Sequence, residues 1–255
     1  MKKTIYTLIC LFSLVFVVGC SSDNDSNSMK FPEDSGSSEF MSIPTEGPYA
    51  RRTADWKIYN NAEELISDAD LIFIGKVTDI EFQILDITNS LPVSESTPDY
   101  AKELYTIYSV DVITSYKGDT TNISKVRVMG GMVDYKVDEQ LEVMNRGESF
   151  KRDLGIPIWD NFYKAQCNED EYYLFVLCQF DTGYPTILNL EQAVYNLKWP
   201  TKKHTVGSNT NVYYSGDKDE YNNPLISAFD IISSFGTDYL ETFYQNWSDG
   251  KYTNE

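Results

Sequence analysis

Seven residues, Leu71-Ile72-Phe73-Ile74-Gly75-Lys76-Val77, constrain this chain more than any others. The run is almost entirely apolar, of strand length and rich in β-branched residues, so it predicts a central strand, extended toward Leu85. Just upstream, Asn60-Asn61 precedes Ala62-Glu63-Glu64-Leu65-Ile66, which opens like a short helix. Asparagine caps the start, and both acids fall in the first turn, where the helix dipole favours them.

Tyr105 to Tyr116 alternates, with Tyr108, Val110 and Val112 on one face and Tyr105, Ile107 and Ile113 on the other, predicting a second long strand. Lys117-Gly118-Asp119 then turns the chain, and Ile123 to Met129 gives a third strand that stops at Gly130-Gly131. Met132 to Gln166 reads as irregular. Tyr172 to Phe180 is a further strand, and Ile187 to Leu197 one or two more, broken near Asn189. From Asn223-Pro224 onward the period becomes about 3.6. Leu225, Phe229 and Ile232 share one stripe, while Leu240, Phe243, Tyr244 and Trp247 form another. Two C-terminal helices are predicted, the first opened by Asn223-Pro224 and the second capped by Thr237 after Gly236. Their aromatic stripe reads as packing surface.

The N-terminus reads as an address. Lys2 and Lys3 form a positive stretch, and Ile5 to Val18 is apolar but too short for an ordinary membrane span. The boundary Val17-Val18-Gly19-Cys20 resembles the bacterial lipobox. That resemblance implies a diacylglyceryl group on the Cys20 sulfur, with Cys20 as the first residue of the mature protein. One acyl chain anchors only marginally at about 0.8 kcal/mol per buried methylene, so the two chains of a diacylglyceryl meet the requirement for stable attachment. The implied location is the bacterial cell membrane or outer envelope, with an exported domain. Ser21 to about Ala50 carries too few apolar residues for a core and predicts a disordered tether. Its mean reach is roughly 30 Å, extendable to about 100 Å. The organisation expected is a signal peptide at 1–19, tether at 20–54, barrel domain at 55–200, and a loop with helical extension at 201–255.

Charge limits the partners. The chain has 39 acidic and 21 basic residues, and a formal net charge of −18, which makes nucleic acid and anionic lipid poor partners. Of four cysteines, Cys10 leaves with the signal and Cys20 takes the lipid. Cys167 and Cys178 flank an apolar strand that would hold them about 30 Å apart, so two unbridged thiols are favoured over a disulfide.

Several segments together resemble a bacterial secreted β-barrel pattern: Ser67 to Val77, Tyr105 to Val110, Tyr116-Lys117-Gly118, Gly130-Gly131 and Tyr172 to Leu177. The pattern is similar to an OB-like module, distantly resembling the netrin-like domain of tissue inhibitors of metalloproteinases, over about residues 60 to 198. It implies a β-rich α+β fold, an OB-like Greek-key barrel with a short N-terminal helix and C-terminal helices. The inhibitors present an N-terminal cysteine to a catalytic zinc, but a lipidated Cys20 beyond a tether does not suit that mechanism.

Recognisable chemistry is sparse. His204, the sole histidine, lies among lysines, and no H-E-x-x-H, C-x-x-C, G-x-S-x-G or P-loop occurs. Asp217 to Asn223 opens like a calcium loop but lacks glycine at the sixth position and has Ala228 at the twelfth. No catalytic residue, metal or cofactor is assigned, and Cys20 is the one site residue. The function expected is a lipid-anchored envelope binding or interaction module, meeting the membrane through Cys20 and an envelope protein or glycan through its barrel. Asn89 to Glu103 is the first loop of interest, with Gly130-Gly131 second. A glycan hydrolase using carboxylates, its substrate held on Tyr and Trp side chains, is one alternative, although a pair such as Glu169 and Glu171 arises by chance among 39 acids. The other is an accessory subunit docking through an exposed Phe243 and Trp247.

Overall fold

A computed structural model describes residues 47–146, 155–159, 166–197 and 226–252. Cys20, His204 and the acidic run 217–223 lie outside the described residues. In chain order the elements are β1 (Tyr49–Arg52), α1 (Ala62–Asp68), β2 (Leu71–Asp86), a 3-10 turn (Asp99–Ala101), β3 (Lys102–Lys117), β4 (Lys125–Met129), α2 (Val137–Arg146), β5 (Ile156–Trp159), β6 (Tyr172–Cys178), β7 (Thr186–Ile187), β8 (Val194–Asn196), α3 (Ala228–Ser233) and α4 (Thr237–Ser248). The fold is β-rich, with a six-stranded sheet and C-terminal helices.

The apolar run is central because β2 is paired on both edges. Leu71 to Lys76 is antiparallel to β6, while Ile72 to Asp86 is antiparallel to β3 along its length. Leu71 to Gly75 is therefore buried throughout, and only beyond Thr78 does the strand alternate between buried and more open positions. Register shifts at Ile72/Phe73, Ile74/Gly75 and Val77/Asp79 mark bulges. Such bulges bend a strand and increase its twist, which suits one strand serving two sets of neighbours. β3 continues to β4 (antiparallel), β4 to β7 through the parallel pair Arg127↔Thr186, and β7 to β6. β8 adds outside β6.

Large rings fill the interior. Phe73 and Phe175 pack at 5.4 Å between centroids, and Tyr108, Tyr173 and Tyr195 are fully buried. Their hydroxyls are bonded, as burial requires. Tyr108 accepts from the Cys167 backbone N–H at 3.2 Å. The Tyr173 hydroxyl accepts from the Asn168 N–H at 2.9 Å and donates to the Glu171 carboxylate at 2.9 Å. Neither Cys167, which is buried, nor Cys178 is in a disulfide.

The helix starts follow local chemistry. Asn61 caps α1 by accepting from the Glu64 N–H at 2.9 Å, and Glu64 reaches back to the Asn60 N–H at 3.1 Å. α3 begins with a reciprocal box between Ser227 and Asp230. α4 starts at Thr237 with Gly236 at the cap position and no side-chain bond, so Thr237 is inside the helix rather than its cap. Asn223 and Pro224 lie outside the described residues. Trp247 of α4 donates its indole N–H to the Leu197 carbonyl at 3.0 Å, and Tyr116 of β3 meets Phe235 and Tyr239 at 5.6 and 5.7 Å.

Three elements depart from expectation. Within the segment read as irregular, Val137–Arg146 is a helix and Ile156–Trp159 a strand. α2 is held by a buried glutamine rather than an apolar stripe: Gln140 accepts from the Met132 N–H at 2.9 Å and donates to the carbonyls of Met132 and Tyr135 at 2.9 and 2.6 Å. Tyr49–Arg52, inside the span assigned to the tether, is β1, paired in parallel with β5. Strand structure thus begins before residue 55.

Candidate functional site

Alternation along β2, β3 and β4 separates two faces. Ile80, Phe82 and Ile84 face inward with Leu104, Thr106, Tyr108, Val126 and Val128, all buried. The opposite face carries Glu81, Gln83 and Leu85 beside Ile107, Tyr105 and Glu103, which in turn neighbour Arg127 and Met129. Two loops border it. The β2–β3 loop starts at Asp86, whose carboxylate accepts from the Thr88 N–H at 2.8 Å and hydroxyl at 2.6 Å. Those bonds hold the Asp86 carboxyl below its usual range. The β6–β7 loop, 179–185, meets the first loop where the Thr182 hydroxyl bonds to the Asn89 carbonyl. Gly183 permits this approach: its φ is +75°, and a Cβ there would come within 2.6 Å of the Ser90 carbonyl oxygen.

The β6–β7 loop closes over Arg127. This residue is only 3% exposed, its Cζ lying 5.5 Å from the Tyr105 ring centroid and 5.4 Å from that of Phe180. Its backbone is tied to β7, donating to the Pro185 carbonyl at 2.9 Å and accepting from the Thr186 hydroxyl at 3.0 Å. The guanidinium, however, has no hydrogen-bond partner at Nε or Nη1. Burial lowers its pKa, although an arginine stays charged. The carboxylates of this face do not serve it: Glu81 is paired with Lys125, and Glu103 Oε1 accepts no hydrogen bond. Burial pushes the Glu103 carboxyl up, with the Arg52 charge opposing. Tyr184 packs against the cluster of Leu85, Tyr105 and Ile107.

Beyond the end of β4, Trp159 lies against Gly130, whose φ of +100° and lack of a Cβ allow the contact. Trp56 meets Trp159 edge-on at 6.4 Å, and neither indole N–H has a partner. One cation, one carboxylate oxygen and two indole donors are therefore buried without hydrogen bonds, among several rings. Native interiors leave few such groups, so each asks for a reason.

The residues singled out from sequence fare unevenly. The loop Asn89 to Glu103 does border this face, and Glu103 belongs to it. Gly130-Gly131 lies at its end, Gly130 against Trp159 and Gly131 against Ile156 and Gln140. Glu169 and Glu171 serve the framework: Glu169 accepts from the Tyr135 hydroxyl at 2.6 Å and Lys136 at 3.0 Å, Glu171 from the Asn196 amide at 2.7 Å. Phe243 and Trp247 are buried, which removes the exposed stripe expected of a docking subunit. Arg127 was not singled out. In Lys125-Val126-Arg127-Val128-Met129 the basic residues alternate with valines, a pattern that marks a strand but not which basic residue the 179–185 loop covers.

Among the described residues no group of three potential metal ligands occurs, and no helix is long and apolar enough to cross a membrane. No protein-family model matches the chain, nor does any curated protein.

Proposed function

We propose that this protein is a lipid-anchored binding module of the bacterial cell envelope, built on an OB-like barrel. The anchor is Cys20, inferred from the lipobox resemblance alone. Three features support the OB-like reading. The strand neighbours run β2–β3–β4–β7–β6 and return to β2, the β4–β7 contact is parallel, and α2 lies between β4 and β6. An OB barrel binds on the face of its second and third strands and on the loops joining strands 1–2 and 4–5. Those correspond here to β3, β4 and the two loops that meet at Asn89 and Thr182.

The observation that carries the binding reading is the unpartnered guanidinium of Arg127 on that face. A buried donor left unbonded is destabilising, and a partner that bonds it on arrival accounts for its presence. The acidic chain argues against nucleic acid and for an envelope protein or glycan.

Two measurements test this. Cys20→Ala, expressed in a lipoprotein-processing bacterium, moves the protein from the membrane to the soluble fraction; full retention in the membrane refutes the anchor. Full-length protein in detergent micelles retains solubilised envelope material in a saturable manner. Absence of any retained material refutes the module.

A further inference from the structure

We propose that Arg127, beneath the Phe180 ring, is the recognition site for a glycan unit bearing a single carboxylate. The inference rests on the binding-module reading and names its ligand class. It starts from valence. A guanidinium matches a carboxylate through paired N–H bonds, and the Arg127 side chain has neither a carboxylate nor a carbonyl bonded at Nε or Nη1. Glu81 is engaged by Lys125, so the partner is not supplied from that side of the face.

The surroundings narrow the class. Tyr105 flanks the guanidinium and Tyr184 packs against the cluster that contains Tyr105, so a ligand that reaches Arg127 once the covering Phe180 ring lifts meets flat rings. Sugar rings offer C–H faces to such surfaces. Along β3, two residues from Tyr105, Glu103 holds an unbonded carboxylate oxygen, about 7 Å away at the strand rise. Beyond the end of β4, the indole N–H groups of Trp56 and Trp159 are unbonded donors. From Arg127 to Gly130, which touches Trp159, is roughly 10 Å along the chain, the length of a disaccharide. Hydroxyls both donate and accept, so one glycan can serve the acceptor at Glu103 and the donors at the tryptophans. A peptide bound as an added strand would instead rely on an exposed backbone edge.

Charge selects one carboxylate rather than many. A lone guanidinium in a chain of net charge −18 repels a polyanion at long range yet holds a single acid at contact. Access is through the loop. Phe180 is 51% exposed, so lifting its ring from the guanidinium sacrifices little buried surface.

The test uses full-length protein in detergent micelles and calorimetric titration with methyl glucuronide, methyl glucoside, inorganic phosphate and the tripeptide Gly-Gly-Phe. Methyl glucuronide binds saturably, and methyl glucoside at least about tenfold more weakly, the share of affinity carried by the charge-assisted pair. Arg127→Met loses at least about tenfold, and Arg127→Lys, which keeps charge but not the planar fork, a comparable factor. Phe180→Ala, a change at a half-exposed position, uncovers the guanidinium and binds methyl glucuronide at least as tightly as the parent. Phosphate or tripeptide binding equal to that of the glucuronide overturns the proposal, as does glucuronide binding by Arg127→Met or Arg127→Lys as tight as the parent's. Absence of glucuronide binding in both the parent and Phe180→Ala also overturns it. If envelope material is still retained in that case, the glycan assignment falls and the binding module stands; if nothing is retained, both fall.

Discussion

Arg127→Met should stabilise the protein while removing ligand recognition. Two guanidinium nitrogens lack partners in a residue 3% exposed. Each unsatisfied group costs about 1–3 kcal/mol. The contacts with Tyr105 and Phe180 return about 0.5–2 kcal/mol each. Methionine keeps the length, needs no hydrogen bond, and recovers about 0.3–1.5 kcal/mol per sulfur–ring contact with the same two aromatics. The balance favours methionine by about 1–3 kcal/mol, within the range seen when buried ionic groups give way to apolar ones. For a folded part of this size that is a rise in Tm of roughly 2–12 °C. Urea denaturation followed by far-UV circular dichroism, with calorimetry alongside, measures it. A loss exceeding about 1 kcal/mol would show that the guanidinium is part of the framework and refute the reasoning.

Glu103→Gln should flatten the pH dependence of stability. Burial raises the folded pKa of this carboxyl, so its contribution is complete below the unfolded value of about 4.3 and is lost as pH rises through the raised value. Urea midpoints of parent and variant between pH 4 and 7 then converge at the acid end; parallel curves count against the assignment. Gly118→Ala should destabilise by about 2 kcal/mol or more, because φ is +77° and a Cβ would press on the Asp70 carbonyl and Leu71 side chain. An unchanged urea midpoint would contradict that. Trp247→Ala, losing a buried ring and its bond to Leu197, should cost about 3–5 kcal/mol, and an unaltered near-UV spectrum and midpoint would show that α4 packs differently.

Legibility in the sequence followed the kind of force that builds each element. β2, β3 and β6 were readable because apolar side chains set their period, and α1 because Asn61 and Glu64 satisfy its first turn locally. α2 was not, since its inward anchor is Gln140, a polar side chain whose partners, Met132 and Tyr135, are backbone groups outside the helix. β1 and β5 are four residues each and acquire strand form from one another across about a hundred positions, a pairing no local pattern encodes. The same non-locality hid the candidate site. Asn89 to Glu103 was marked as a loop of interest by its polarity and proline, but the burial of Arg127 needs Phe180, 53 positions later, to fold back over β4.

The double pairing of β2 gives the molecule two separable clocks. Amides at Ile72, Phe73 and Ile74 sit in fully buried residues with a strand on either side, so their hydrogens exchange with solvent only when the whole sheet comes apart. Amides in the 87–98 and 179–185 loops need only local opening. Deuterium uptake in one sample therefore reports global unfolding and loop lifting on separate scales, and a ligand seated under Phe180 slows the second far more than the first.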